Sequence, residues 1–258
     1  MENIIFCFSG TGNSLAAARD IAKQTGNTKI VLIADMMREE LINLPYERVG
    51  IVCPAYFSSL PPIIEQFVIK LDFRKAKYVY AVITAGALHG SSFDRLNGLI
   101  AEQGGHLDAS YPLQMPGNYI AMYGAWPMKI QRYLNKKAKK KIVKISQSVI
   151  EKKHTFKEVK KEKTPKSLTE KMNNYQSLAL DFKVNNQCIG CETCAKVCPM
   201  NNITMLNQRP NFGESCARCM ACIQWCPMKA IDYKDKTSGR KRYTHPDIKA
   251  IDLYTNHF

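Results

Sequence analysis

Residues 6–18 read FCFSGTGNSLAAA: an apolar run, then six residues that are all glycine, hydroxyl or amide (Ser9 to Ser14), then small helix formers. No charged side chain occurs from Asn3 through Ala18. A strand that feeds such a loop at the head of a helix makes a place for an anion, because the unpaired N–H groups and the positive end of the helix dipole face whatever sits there. The loop is not a Walker phosphate loop, since no lysine precedes Lys23. Nor does it complete a dinucleotide fingerprint: Gly10 and Gly12 fit the first two glycines, but Leu15 stands at the third. Two readings remain. The backbone N–H groups cradle one phosphate, helped by the hydroxyls of Ser9, Thr11 and Ser14 and the amide of Asn13, or the segment is a helix cap on a tight turn.

Working outward, β-rich runs fall at 4–8, 29–33, 49–53 and 78–84, with a weaker one near 107–115. Helical segments lie between them at 14–25, 36–43, 63–70 and 92–103. Alternation with short connections predicts an α/β fold with a parallel sheet covered on both faces. Ligands of such sheets bind beyond the carboxyl ends of the strands, where the strand order reverses, and the Ser9–Ser14 loop lies at such an end. Two further loops follow strands: PAYFSSLPP at 54–62 and TAGALHGSSF at 84–93. A planar ring could stack on Tyr56 or Phe57 and take hydrogen bonds from the small-residue backbone of the third loop. MPGNY at 115–119 follows the fifth strand and reads as a structural turn or as a reach toward the ring edge.

These three loops in this order resemble a flavodoxin over roughly residues 1–150. The resemblance implies a doubly wound, five-stranded parallel sheet and FMN. It places the phosphate at Ser9, Thr11, Gly12, Asn13 and Ser14, and the flavin ring between Ala55, Tyr56, Phe57, Ser58 and Thr84, Ala85, Gly86, Gly90.

The chain has 258 residues, 45% of them hydrophobic, enough for one large or two smaller cores. It holds ten cysteines, and eight of them fall between Cys188 and Cys226. No apolar run spans a bilayer and no signal peptide opens the sequence, so the expectation is a soluble, cytoplasmic protein whose clustered cysteines bind metal. Residues 188–199 read CIGCETCAKVCP and residues 216–227 read CARCMACIQWCP. Both are C-x2-C-x2-C-x3-C-P, offset by 28 residues, and the echo continues in Met200 with Met228 and Ile203 with Ile231. Zinc ribbons use pairs of C-x2-C instead. The spacing resembles that of bacterial two-cluster ferredoxins, in which the fourth cysteine of each run ligates the other cluster. That resemblance implies a small α+β domain with two 4Fe–4S clusters, one on Cys188, Cys191, Cys194 and Cys226, the other on Cys216, Cys219, Cys222 and Cys198. Cys7 and Cys53 lie on front strands and read as buried apolar residues. Trp225 reads as a cluster shield or as core packing.

The net charge of +15 is unevenly spread. Residues 1–128 carry ten Lys/Arg against eleven Asp/Glu, residues 129–171 sixteen against four, and residues 172–258 eleven against seven. The organisation expected is a front domain at 1–153, a basic linker at 154–180 and a cysteine domain with its tail at 181–258. Ile130, Leu134, Ala138, Ile142, Ile145 and Val149 keep helical spacing and predict a last helix on the sheet. Lysines 136, 137, 139, 140, 141 and 144 then face water, either as a solvated face or as a docking patch for an acidic redox protein or a ferredoxin-linked oxidoreductase. Lysine outweighs arginine and no nucleic-acid motif accompanies it, so no nucleic acid and no membrane are expected as partners.

The whole chain resembles the flavodoxin–ferredoxin fusion proteins. The function implied is electron transfer between FMN, two clusters and external redox partners. The alternative is an FMN-dependent reductase of a small molecule fed through the clusters. No second nucleotide fingerprint and no acid–base constellation stands beside the flavin loops, where His89 is the one nearby titratable candidate. These absences favour a carrier with no catalytic residues of its own.

Overall fold

The computed structural model describes residues 2–157 and 181–255. They divide into two compact units. The first comprises Met1–Ser9, Asn13–Gly117 and Pro127–Lys160; the second comprises Gly10–Gly12, Asn118–Trp126 and Lys161–Phe258. The boundary is thus not a single cut in the sequence. Most of the expected linker at 154–180 lies outside the described residues.

The first unit is built on five parallel strands: β1 (Asn3–Cys7), β2 (Thr28–Leu32), β3 (Arg48–Pro54), β4 (Val79–Ala85) and β5 (Ala109–Gln114). Their order is β2-β1-β3-β4-β5, the flavodoxin-like winding, with the reversal between β1 and β3. Every residue of β1 is buried, which is why it reads as an unbroken apolar run rather than an alternating one. β5 contains Pro112, opposite Ile83. A proline is tolerated there because β5 is an edge strand, and the same proline weakens the strand signal in the sequence.

Helices α1 (Asn13–Thr25), α2 (Pro62–Val68), α3 (Ser92–Glu102) and α4 (Met128–Ile150) flank the sheet, α1 packing with α4 and α2 with α3. On α4, Leu134, Ala138, Ile142, Ile145 and Val149 are buried as their spacing predicts, while Ile130 remains exposed. The end of α4 is tied to β3 by Arg48, which donates to the carbonyls of Val149 (3.0 Å) and Ile150 (2.9 Å). One predicted helix does not form. Residues 36–43 are not helical: Ile33–Met36 make a 3-10 turn, and Ile42–Asn43 pair in parallel with Leu71–Asp72. The apolar residues there, Met36, Met37, Leu41 and Ile42, have no 3.6-residue stripe, so backbone pairing with Leu71 outweighs the helix propensity of the intervening charges.

The second unit is strand-poor. β6 (Phe182–Val184) pairs antiparallel with β9 (Ile231–Tyr233), and β7 (Ile203–Leu206) with β8 (Arg209–Phe212). Two single-turn helices, α5 (Thr193–Lys196) and α6 (Ala221–Gln224), stand at the same offset as the cysteine repeats. Its core joins Ile203, Ile223, Ile231 and Tyr233 with Cys194, Cys222 and Ile120. Phe182 stacks on Phe212 with centroids 4.8 Å apart.

Candidate functional site

The expected flavin loops of the first unit leave the carboxyl ends of adjacent strands, Ala55–Ser58 after β3 and Gly86–Gly90 after β4. The amide of Ala55 donates to the carbonyl of Thr84 at 2.9 Å. Tyr56 and Ser59 exchange backbone hydrogen bonds, each 2.9 Å, around a turn in which Phe57 (φ 51°) and Ser58 (φ 64°) are both left-handed. Two such residues in succession without glycine are strained, and backbone strain of this kind gathers at ligand clamps. The third loop closes on this turn: Ser91 N donates to Ser58 O at 3.1 Å. Gly90 is required at that approach, since an added Cβ would stand 2.2 Å from Ser58 O. Phe57 is exposed, whereas Tyr56 is half-buried and meets Phe8 edge-on at 6.1 Å, so Phe57 presents the more exposed ring.

Of the residues expected at the phosphate, several side chains have other partners. Ser14 Oγ lies 2.8 Å from Thr84 Oγ1, with both side chains buried. Asn13 Nδ2 donates to Pro116 O at 3.1 Å. In the second unit, Thr11 Oγ1 accepts from Asn118 Nδ2 at 2.5 Å, and Thr11 O accepts from His245 N at 2.8 Å. Gly12 has φ +96°, and a Cβ there would stand 2.9 Å from Ile248 Cβ. The loop's side chains therefore hold its shape, and its backbone N–H groups are what it can offer a ligand. No acidic residue occupies the first turn of α1, so the positive helix end is not neutralised. A phosphate monoester fits that chemistry. Asn118, in the MPGNY turn, braces Thr11, a role that no local pattern marks.

The cysteine motifs are geometrically equivalent halves. Glu192 (φ 61°) and Met220 (φ 57°) each enter their short helix from a left-handed conformation. Asn202 N donates to Cys198 Sγ at 3.3 Å, and Ala230 N donates to Cys226 Sγ at 3.3 Å. Cys188, Cys191, Cys194 and Cys226 line one pocket together with apolar residues that include Met205, Pro210 and Ile231. Cys222 lies within electrostatic reach of Cys219, Cys216, Cys198 and Cys194. Cys226, the fourth cysteine of the second motif, stands with the first motif's triplet. Burial pushes the Cys194 thiol up to about 12, with the neighbouring Cys226 and Cys191 acting in the same direction. Burial likewise raises Cys219 and Cys222. Buried thiols of this kind ionise only when a metal takes the proton's place. Sulfur-only donors, amide N–H groups aimed at sulfur and an apolar wall fit an iron–sulfur cluster. Among the described residues no group of three His, Cys, Asp or Glu side chains is placed to hold a single metal ion.

Cys7 and Cys53 are fully buried, burial raising both thiols. Trp225 is half-buried, and its Nε1 donates to Gly10 O at 2.9 Å. Lysines 136, 137, 139, 140, 141 and 144 of α4 are all exposed. Among the described residues no helix is long and apolar enough to cross a membrane.

Residues 187–231 match the family described as the 4Fe-4S dicluster domain. Comparison with curated proteins returns no match. Among solved structures, a two-electron reduced flavodoxin from Megasphaera elsdenii is 21% identical, covering 42% of this chain and 83% of that one, with a TM-score of 0.34. An FMN-dependent NADH-azoreductase from Bacillus anthracis is 8% identical over 57% of this chain and 100% of its own, with a TM-score of 0.38. The Trp repressor binding protein from Bacillus subtilis is 13% identical over 58% and 97%, with a TM-score of 0.39. The fold of the first unit rests on its own strand order rather than on these likenesses.

Proposed function

We propose that the protein is an electron-transfer iron–sulfur flavoprotein, exchanging electrons between FMN, two 4Fe–4S clusters and external redox proteins. The observation that supports this reading is that Cys226 of one motif lines a pocket with Cys188, Cys191 and Cys194 of the other, which suits an exchange of fourth cysteines between two cubanes. Cys188, Cys191, Cys194 and Cys226 hold one cluster; Cys216, Cys219, Cys222 and Cys198 hold the other. FMN is held by the backbone of Ser9–Ser14, with its ring between Ala55–Ser58 and Thr84–Gly90. The flavin stores one or two electrons and each cluster passes one, so a single chain couples pair and single transfers. Carrying both on one tether keeps them at high effective concentration. The lysine face of α4 receives an acidic partner by electrostatic attraction.

Anaerobically purified protein should contain about eight iron and about eight acid-labile sulfide per chain, with about one FMN. Zinc in place of iron, in protein prepared under iron-replete anaerobic conditions, would overturn this function.

A further inference from the structure

Arg242 lies outside both cysteine motifs and outside the matched 4Fe–4S region, in the basic stretch Arg240–Arg242. Lys241 is exposed, but the Arg242 side chain is only 9% exposed. Its position is fixed from both sides: Lys241 O accepts from Ala125 N at 2.7 Å, and Tyr243 N donates to Gln224 Oε1 at 2.8 Å.

The guanidinium reaches into the backbone that presents Cys222 and Cys226. Its Nη1 donates to the carbonyl of Ile223, the residue after Cys222. Its Nη2 donates to the carbonyls of Lys229 (3.1 Å) and Ile231 (3.0 Å), on either side of Ala230, whose amide donates to Cys226 Sγ. A guanidinium does not deprotonate in a protein, so this is a permanent buried cation. Among the described residues its sole carboxylate ion-pair partner is Asp232, at 3.9 Å. Carbonyl dipoles and one distant carboxylate compensate a buried cation poorly. Burial opposes the charge, and Cys226, Asp232 and Cys222 are the groups that favour it. The first and last of these are assigned above to different clusters.

We infer that Arg242 is a positioning and charge-compensating residue shared by the two clusters, and that it raises the reduction potential of both. This rests on the two-cluster reading of the preceding section. One-electron reduction of a cluster by an external donor adds one negative charge and breaks no ligand bond. A fixed cation beside Cys222 and Cys226 favours that more negative form, and favours it strongly because the site is dry. Asp232 works in the opposite direction.

The test is a redox titration of the holoprotein with dithionite, followed by the iron–sulfur electron paramagnetic resonance signals. Iron and sulfide are counted first. Arg242→Gln should shift the oxidised-to-reduced ratio at fixed poise about tenfold toward oxidised, a fall of about 59 mV for one electron. Asp232→Asn, of the same shape, should shift the ratio toward reduced. Lys241→Gln removes the same charge from water and should leave the potentials at the wild-type values. Opposite shifts in the first two variants are not produced by a merely structural role. Iron-replete Arg242→Gln and Asp232→Asn with the potentials of Lys241→Gln would overturn the inference and leave the two-cluster reading intact. If Arg242→Gln loses its iron, Asp232→Asn decides by the same criterion. Wild-type protein without clusters would overturn both.

Discussion

The hydroxyls of Ser14 and Thr84 lie 2.8 Å apart in the buried interior of the first unit. Ser14 stands in the first turn of α1 and Thr84 next to the end of β4, so this one bond fixes the end of the anion loop against the strand that leads into the third flavin loop. A hydroxyl that reads in sequence as a phosphate ligand is paired in the fold with a second buried hydroxyl.

Ser14→Ala strands the buried Thr84 hydroxyl and should destabilise the flavodoxin-like unit by about 1–3 kcal/mol. Adding Thr84→Val removes the orphaned partner and should recover most of that loss, because exchanging both partners for apolar groups is nearly neutral. Urea unfolding followed by circular dichroism reads both steps. Flavin content should persist in the folded Ser14→Ala protein; its disappearance would show that the hydroxyl reaches the phosphate directly.

Iron counts in paired cysteine variants check which fourth cysteine serves which cluster. Removing Cys188 and Cys226 together, as Ala, should leave about half of the iron, since both belong to one site. Removing Cys188 and Cys198 together should leave almost none. Equal iron in the two double variants would contradict the exchange. The second result is the sharper one, because a chain without the exchange would lose a single cluster.

Lys136, Lys137, Lys140 and Lys141 are exposed on α4. Lys141 is pushed to lower basicity by partial burial and then by the charge of Lys137, a sign that the positive charges already crowd one another. Reversing all four to glutamate should lower the association rate with an acidic redox partner while leaving FMN and iron unchanged. The wild-type rate should fall steeply with salt, since exposed charges are screened beyond ~8–10 Å at physiological ionic strength. Stopped-flow rates that ignore both salt and the reversal would make these lysines a solvated face only.

The three variant sets probe different layers of the protein, and those layers were not equally legible. Local chemistry was open to direct reading. The five strands, the lead-in to α1 and the stripe from Leu134 to Val149 follow from residues near in sequence, because apolar periodicity and glycine placement act over a few residues. The cysteine spacing was legible for the same reason: three thiolates within seven residues can wrap one object only. What the sequence could not reveal depended on long-range contact. The stretch at 36–43 has helix-forming residues, and only the pairing of Ile42 with Leu71 decides against a helix. Thr11, Asn13 and Ser14 look alike as hydroxyl and amide donors, yet their side chains meet Asn118, Pro116 and Thr84, which lie 107, 103 and 70 residues away. Arg242 sits in a run of basic residues with no local mark of its role. Its place is set by the carbonyls of Ile223, Lys229 and Ile231, which accept its hydrogen bonds. Sequence alone determined which chemistry the chain can carry, because ligand type and spacing are local. Tertiary structure decided which side chains are spent on holding the frame, because a hydrogen bond or a buried charge depends on a partner that local sequence does not name.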